Sequence, residues 1–277
     1  MKNYLLLLFG ILFGCTTTNS ELKISYIANC GFIYESQSAK IAIDPFGTDF
    51  GDFFFLPSSE LQTNLEKGNA PFDKIDLVLI THQHGDHFNP LLAERFLLQN
   101  KQAEMICPPQ VLNLMYDSCA YIEQIASQIV TPQLLMHESE TITIAGVTVT
   151  AVKMQHGTDR SLEGITHEEY TDYEKTENYG YLIDFNQKLL FHQGDGCLKI
   201  NQPAIEQLNR NVDIAHLSFF DWDTTSYQLL KEKLHAKKII FMHGTKPGNE
   251  WETDELKSIA PKVIFFNQEL ESRLFND

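Results

Sequence analysis

The most informative stretch of this chain is His82-Gln83-His84-Gly85-Asp86-His87, and it indicates where the functional site lies. The residues before it, Ile75–Thr81, are apolar and β-branched, and they predict a short buried strand. The residues after it, Asn89–Gln99, predict a helix with an asparagine cap and a proline at its first position. The cluster is therefore expected on a loop at the carboxyl end of a strand, where α/β proteins bind ligands.

The composition of the cluster indicates a metal site. Neutral imidazole and carboxylate are the usual protein ligands of zinc and similar divalent ions. His82 and His84 are two residues apart and can point at one ion, whereas Asp86 and His87 point elsewhere and indicate a second ion. The alternative is a polar surface loop that is rich in histidine.

Further ligands are expected at three later strand ends. His156, Asp195 and His243 each follow an apolar strand and each precede a glycine. A carboxylate has two oxygens and can bridge two ions about 3.5–4 Å apart, which suits Asp195. Each of these residues alone could be a hydrogen-bonded strand end, but together with the cluster they predict a composite site.

Composition limits the classes of function. The chain has 277 residues, of which 43% are hydrophobic, enough for one sizeable core. Its formal net charge of −16 argues against a nucleic-acid partner, since binding to phosphates depends on Lys and Arg. Small anionic substrates remain open, because a metal ion can dominate the local field. We therefore expect a small-molecule or lipid substrate.

The N-terminal residues predict export. Lys2 precedes a short apolar run, and Leu12–Cys15 resembles the lipobox of bacterial lipoproteins. We expect a signal peptide over 1–14, a lipidated tether over 15–21 and a single domain over 22–277. The protein would then be exported and anchored to the membrane through lipid on Cys15, on the periplasmic side. The absence of Asp at position 16 favours the outer membrane, and an ordinary secretory signal is the alternative.

The order of predicted elements indicates two sheets packed face to face with helices outside, in the α+β class. A strand meander, an α/β section, a second meander and a second α/β section follow one another. Residues 47–72, with Phe50, Phe53, Phe54 and Phe55 beside Gly51, and residues 157–178 look like insertions. The remaining predicted strands are 23–28, 31–35, 40–44, 103–107, 141–152 (a hairpin turning at 145–146), 179–184, 188–192, 212–217, 238–242 and 263–266, with helices near 202–210, 225–235 and 252–259.

The cluster H-x-H-x-D-H, followed in order by His156, Gly-Asp195-Gly and His243, resembles the metallo-β-lactamase superfamily over residues 22–270. The resemblance implies an αβ/βα four-layer sandwich of two mixed β-sheets flanked by helices. It also implies two divalent ions, with zinc favoured and manganese or iron as alternatives. One ion would be held by His82, His84 and His156 and the other by Asp86, His87 and His243, with Asp195 bridging. Asp44 would lie behind a metal-bound imidazole and orient it.

The resemblance implies a hydrolase in which a metal-bridging hydroxide attacks an ester, lactone or phosphodiester, and Asp86 orients the hydroxide. Asp195 argues against a true β-lactamase, which does not use aspartate there. The closest resemblance within the superfamily is to the ascorbate-6-phosphate lactonase-like branch, through Asn29–Ile33 and the terminal Met-His-Gly-Thr. His192 and His216 are candidates for a substrate contact or proton donor, and a structural role is the alternative for both.

Two other functions stay open. One is a mononuclear-iron oxidoreductase of the persulfide-dioxygenase type on the same fold. The other is a non-catalytic, metal-binding surface lipoprotein.

Four cysteines beyond Cys15, namely Cys30, Cys107, Cys119 and Cys197, allow three disulfide pairings, and the sequence does not choose among them.

Overall fold

Buried hydrophobic strands build two mixed sheets in the computed structural model, which describes residues 21–48, 54–157, 175–244 and 258–276. In these residues the strands are β1 (Leu22–Ala28), β2 (Gly31–Glu35), β3 (Lys40–Ile43), β4 (Leu77–Leu79), β5 (Glu104–Ile106), β6 (Ile129–Val130), β7 (Ser139–Ile144), β8 (Val147–Gln155), β9 (Glu177–Phe185), β10 (Lys188–His192), β11 (Ile214–Ser218), β12 (Lys238–Met242) and β13 (Ser272–Phe275). The described helices are α1 (Ser59–Lys67), α2 (Pro90–Gln99), α3 (Pro109–Ser118), α4 (Ile122–Ile125), α5 (Gln202–Leu208) and α6 (Thr224–Lys233).

The first sheet has the order β13-β1-β2-β3-β4-β5-β6, and the second has the order β12-β11-β10-β9-β8-β7. Each sheet is antiparallel in its meander and parallel where helices connect the strands. The sequence pattern assigns ligand-type side chains to the carboxyl ends of β4, β10 and β12, which have parallel partners, and of β8, which is antiparallel to both neighbours. Sheet topology thus places those side chains at common edges.

Three apolar clusters define four layers. One cluster lies between the sheets and joins residues such as Phe32 and Tyr181. A second packs α1, α2 and α3 on the outer face of the first sheet, with Phe96 among its members. A third packs α5 and α6 on the outer face of the second sheet through residues such as Leu230. This arrangement confirms the predicted αβ/βα sandwich of two mixed sheets.

The helix after the metal cluster begins as the sequence predicts. The Asn89 side chain accepts a hydrogen bond from the Leu92 backbone N–H at 3.0 Å, and Pro90 takes the first helical position. Asn and Pro suit these positions because the cap satisfies a free N–H and proline lacks one. The start of α2 therefore fixes the end of the loop that carries the cluster.

Several element predictions were wrong. Residues 263–266 form no strand; Ile264 makes only an isolated bridge to Ile240, and the strand beside β1 is β13. Part of the expected insertion 47–72 is α1, which Ser58 caps at its N-terminus and Gly68 at its C-terminus. Residues 49–53 of that segment lie outside the described residues, as do 158–174 of the second expected insertion and 252–257 of the last predicted helix.

Among the described residues, no helix combines the length and the apolar character that a membrane crossing needs. In the same part of the chain, no disulfide joins Cys30, Cys107, Cys119 or Cys197. The signal peptide and almost all of the tether lie outside the described residues, so export and lipidation stay predictions.

Candidate metal centre

Loops from both sheets meet at one edge of the sandwich. The cluster lies between β4 and α2 of the first sheet, whereas His156, Asp195 and His243 follow β8, β10 and β12 of the second. The Gly157 N–H donates to the Asp195 carbonyl at 2.9 Å, and the Tyr179 N–H donates to the Thr81 carbonyl at 2.9 Å. These backbone bonds hold the loops together. The structure thus brings all seven sequence-predicted ligands to one place.

The first group consists of three imidazoles. The ring centroids of His82, His84 and His156 are 4.6–4.7 Å apart in each pairing. Their nearest ring nitrogens all lie within 4.8 Å of one another. His82 and His156 are buried, and His84 is half-buried. Three imidazoles in this arrangement can hold one divalent ion and leave a coordination position for another ligand.

The second group surrounds Asp86. Its Oδ2 lies 3.5 Å from His87 Nε2 and 3.2 Å from His243 Nε2. A tetrahedral ion with ligands at about 2.0–2.1 Å has ligand–ligand edges of about 3.3 Å. The observed separations match those edges. Asp86, His87 and His243 are thus spaced as ligands of one ion.

Asp195 lies between the two groups. Its Oδ2 is 3.9 Å from the Nε2 atoms of both His82 and His156. The same oxygen is 3.5 Å from His87 Nε2 and 3.2 Å from His243 Nε2. Burial disfavours the ionised form of Asp195, but His243 and His87 outweigh it and hold the pKa of this carboxyl well below its usual range. A charged carboxylate between two ligand groups can serve both.

Asp44 orients the imidazoles from behind. Its Oδ2 accepts hydrogen bonds from His87 Nδ1 at 2.8 Å and from the Thr81 hydroxyl at 2.7 Å. The Thr81 oxygen in turn lies 3.1 Å from His82 Nδ1 and can accept its proton. Both rings therefore carry hydrogen on Nδ1 and present the Nε2 lone pair to the site. This geometry agrees with the role predicted for Asp44, which is to orient a metal-bound imidazole.

The donor atoms fit divalent ions. In the described part of the chain, the buried Nε2 atoms of His82, His87 and His243 and Oδ1 of Asp195 have no hydrogen-bond partner. Buried polar atoms normally have hydrogen-bond partners. A group of buried nitrogen and oxygen atoms that face one another without such partners therefore indicates a bound ligand. Burial lowers the pKa of His82 well below the ordinary value, which keeps this ring in the neutral form that binds metal.

Asn29 belongs to the site although the sequence analysis gave it no role. Its Nδ2 donates to Asp86 Oδ2 at 2.9 Å, and its carbonyl accepts from the His243 N–H at 3.0 Å. Asn29, Asp44 and His243 have φ values of 48°, 43° and 65°. Left-handed backbone at residues other than glycine is costly and concentrates at functional sites. Tertiary contacts set this conformation, so the sequence offered no signal for it.

His192 and His216 lie buried behind the site, and protein groups contact both nitrogens of each ring. His192 Nε2 lies 3.2 Å from the Cys30 carbonyl, and its Nδ1 accepts from the Gly194 N–H. His216 contacts the Phe191 carbonyl through Nδ1 and the Tyr34 hydroxyl through Nε2. Burial lowers the pKa of His216 to about 4, so this ring is neutral. The geometry favours a structural role for both residues over that of proton donor.

An aromatic wall flanks the second group. The ring centroids of Phe54 and Phe220 lie 4.2 Å and 4.7 Å from that of His243, both with edge-on geometry. Phe54 and Phe220 also contact each other, with centroids 6.2 Å apart. Phe50 and Phe53 lie outside the described residues. The wall gives this side of the site an apolar surface.

Gly47 supports the metal loop through a close backbone contact. A Cβ at Gly47 would lie 2.1 Å from the Asp86 carbonyl oxygen. We expect Gly47→Ala to displace the loop and reduce kcat about a hundredfold, since a shift of about 1 Å has effects of that size. Metal content and kcat measure the effect. Gly146→Ala strains a turn at a φ of 76°, at the other end of β8 from His156, and so controls for a general loss of stability. Unchanged metal content and kcat in Gly47→Ala would contradict the contact.

A two-sheet sandwich with this His/Asp cluster at its edge is the arrangement of the metallo-β-lactamase fold. Residues 40–243 match the family described as Beta-lactamase superfamily domain, and the chain belongs to this superfamily. The sequence is 25% identical to a UPF0173 metal-dependent hydrolase of Thermococcus kodakarensis over 244 residues, which cover 86% of this chain and 92% of that protein.

Solved structures agree on the fold. Igni18, a metallo hydrolase from Ignicoccus hospitalis, superposes with a TM-score of 0.60 at 20% identity, covering 92% of this chain and 98% of its own. CmlA, a diiron β-hydroxylase from Streptomyces venezuelae, superposes with a TM-score of 0.53 at 14% identity, covering 94% of this chain and 55% of its own. At these identities the structures show a shared fold.

Proposed function

We propose that the protein is a dinuclear hydrolase that cleaves an ester, lactone or phosphodiester. The position of Asp195 Oδ2, 3.2–3.9 Å from the Nε2 atoms of four histidines in two groups, is the observation that carries the proposal. Two divalent ions, with zinc favoured and manganese or iron as alternatives, would lower the pKa of a water and polarise the scissile carbonyl or phosphoryl.

Asp86 has the catalytic role in this proposal. Asn29 holds its Oδ2, and His87 and His243 flank the same oxygen. A carboxylate fixed in this way orients the attacking water and accepts its proton. Asp44 keeps His87 in the tautomer that leaves Nε2 available. His82, His84 and His156 form the opposite side of the site and would hold the other ion.

An apolar small molecule or lipid is the proposed substrate. Phe54 and Phe220 present an aromatic surface beside His243, and the net charge of −16 opposes nucleic acid. Such a surface suits an acyl or other apolar group next to the bond that is cut. Within the superfamily, the Asn29–Ile33 segment supports a placement near the ascorbate-6-phosphate lactonase-like branch.

We infer from the sequence of residues 1–21 that the protein is exported as a lipoprotein anchored through Cys15, with the outer membrane favoured. A substrate in the cell envelope would be accessible from that location. Labelling with a fatty-acid probe in cells tests this. The label is expected on the wild type and not on Cys15→Ser, and an unlabelled wild-type protein would contradict the inference.

An iron-dependent oxidoreductase is the alternative that the fold leaves open. CmlA has a similar fold and is described as a diiron β-hydroxylase. A persulfide-dioxygenase type of activity would need a single iron. The presence of Asp86, His87 and His243 beside the three-histidine group favours two ions instead. A non-catalytic metal-binding lipoprotein would show neither activity.

A substrate panel tests the proposed function. Purified protein loaded with zinc, manganese or iron is assayed on phosphodiester, lactone and thioester substrates, with oxygen consumption on glutathione persulfide in parallel. We expect two ions per chain and hydrolysis of at least one class, lost in Asp86→Ala. One iron per chain with oxygen consumption would overturn the hydrolase in favour of the oxidoreductase. No turnover in any metal form would favour the non-catalytic protein.

A further inference from the structure

Cys30 lies inside the candidate metal centre, in a position that the ligand pattern in the sequence does not include. Its Sγ and the nearest ligand atoms of His87, Asp195 and His243 are all within 4.8 Å of one another. Cys30 is 1% exposed, and the two histidines are fully buried. The thiol therefore faces the second ligand group without access to bulk solvent.

Hydrogen bonds on both sides hold the turn that carries Cys30. The Asn29 carbonyl accepts from the His243 N–H at 3.0 Å, and the Cys30 carbonyl lies 3.2 Å from His192 Nε2. On the far side, a Cβ at Gly31 would lie 2.9 Å from the Asp44 carbonyl, so the backbone is tightly packed. The thiol is thus preorganised toward the site, as a metal ligand needs to be.

Apolar packing alone explains the burial of Cys107 better than it explains that of Cys30. Cys107 is fully buried in the apolar cluster between the first sheet and its helices. Cys30 also touches the core between the sheets, but it adjoins Nε2 atoms of His87 and His243 that have no hydrogen-bond partner among the described residues. Buried nitrogens without hydrogen-bond partners beside a thiol indicate that the nitrogens and the thiol bind one ion, rather than that the thiol only fills space.

We propose that Cys30 is a metal ligand, which joins His87, His243 and Asp195 around the second ion. The thiol proton is released to water that enters with the ion, and the sulfur forms a bond to the ion. Thiolate is a soft donor, so this position prefers zinc, cobalt or ferrous iron to manganese or magnesium. The inference rests on the proposed function, because it assigns the second ion of the same site, and it concerns the choice of metal.

Spectroscopy of the metal-loaded protein tests the proposal. Cobalt(II) loading of the wild type is expected to give a sulfur-to-metal charge-transfer band in the near ultraviolet. X-ray absorption of the zinc form is expected to show a sulfur neighbour at about 2.3 Å. Both signals are expected to vanish in Cys30→Ala and Cys30→Ser and to persist in Cys107→Ala. Cys107→Ala is the matched control, because it removes an equally buried thiol away from the site.

Metal competition provides a second readout. The affinity for zinc relative to manganese is expected to fall on the order of tenfold in Cys30→Ala and to stay unchanged in Cys107→Ala. Cys30→Ser keeps a small polar side chain and serves if the alanine variant does not fold. Absence of a sulfur neighbour in folded wild-type protein with both ions bound would overturn the assignment of Cys30.

The outcomes separate this inference from the proposed function. Hydrolysis without a sulfur signal would refute the Cys30 ligand and leave the hydrolase intact. A sulfur signal that depends on Cys30, in a protein that hydrolyses no substrate of the panel, would support the ligand and refute the hydrolase.

Discussion

Asp195→Ala is expected to lower the bound metal from two ions to at most one and to reduce kcat about a thousandfold, or about 4 kcal/mol of barrier. One oxygen of Asp195 faces the Nε2 atoms of four histidines at 3.2–3.9 Å, so its loss removes a ligand from both groups at once. Elemental analysis of the purified variant and kcat on the best substrate of the panel measure the effect.

Asp184→Ala is the control for this replacement, because Asp184 is an exposed carboxylate on β9 of the same sheet. It is expected to leave metal content and kcat at wild-type values. A variant Asp195→Ala with two ions and the wild-type rate would show that the carboxylate does not bridge the two groups.

Asp44→Asn is expected to weaken metal affinity about 10–100-fold without removing a direct ligand. The Asp44 carboxylate accepts from His87 Nδ1, the Thr81 hydroxyl and the Thr81 N–H at 2.7–2.8 Å. An amide in the same place has one accepting oxygen, and its NH₂ group opposes these donors. Burial raises the pKa of Asp44, whereas His87 and the two Thr81 hydrogen bonds lower it. The charged form of Asp44 is therefore stabilised by these donors together. Titration with zinc in a competing chelator measures the loss.

Asp213→Asn provides the matched control. Asp213 also accepts a backbone N–H, from Leu189 at 2.8 Å, but it lies at the start of β11 far from the ligand loops in the topology. This variant is expected to lose some stability and to bind metal as the wild type does. Equal zinc affinity in Asp44→Asn and the wild type would mean that the carboxylate does not orient His87.

The sequence located the residues of the candidate site because His82–His87 is dense in ligand-type side chains and the other three residues follow recognisable strands. The pattern of an apolar strand, a ligand and a glycine was visible at His156, Asp195 and His243 without knowledge of the fold. Cys30 also follows an apolar strand and precedes Gly31, but the sequence alone does not show that this turn contacts a metal loop more than 50 residues away. Contacts of that kind arise from the pairing of β1 with β2 and the packing of the sheets.

The fold was predicted where periodicity is strong. The β7–β8 hairpin turns at residues 145–146, as expected from its alternation and glycine. The strand β13 reads Ser-Arg-Leu-Phe, so its two polar residues precede its two apolar residues and the sequence shows no alternation, although Ser272 and Leu274 are exposed and Phe275 is buried. The prediction placed a strand at 263–266 instead. Helix α1 was missed because aromatic residues before it suggested an irregular loop, although Ser58 and Gly68 are ordinary helix caps.

The ligands come from both halves of the sandwich, four from the first sheet's loop and three from strand ends of the second. Ions bound there would link two half-molecules that otherwise meet through the apolar core and a few hydrogen bonds, such as that from the Tyr179 N–H to the Thr81 carbonyl. Each ion at a thousandfold excess over its Kd adds about 4 kcal/mol to the stability of the docked state. A chain whose halves are misaligned cannot retain the ions, so metal retention would also report the correct assembly of newly folded protein.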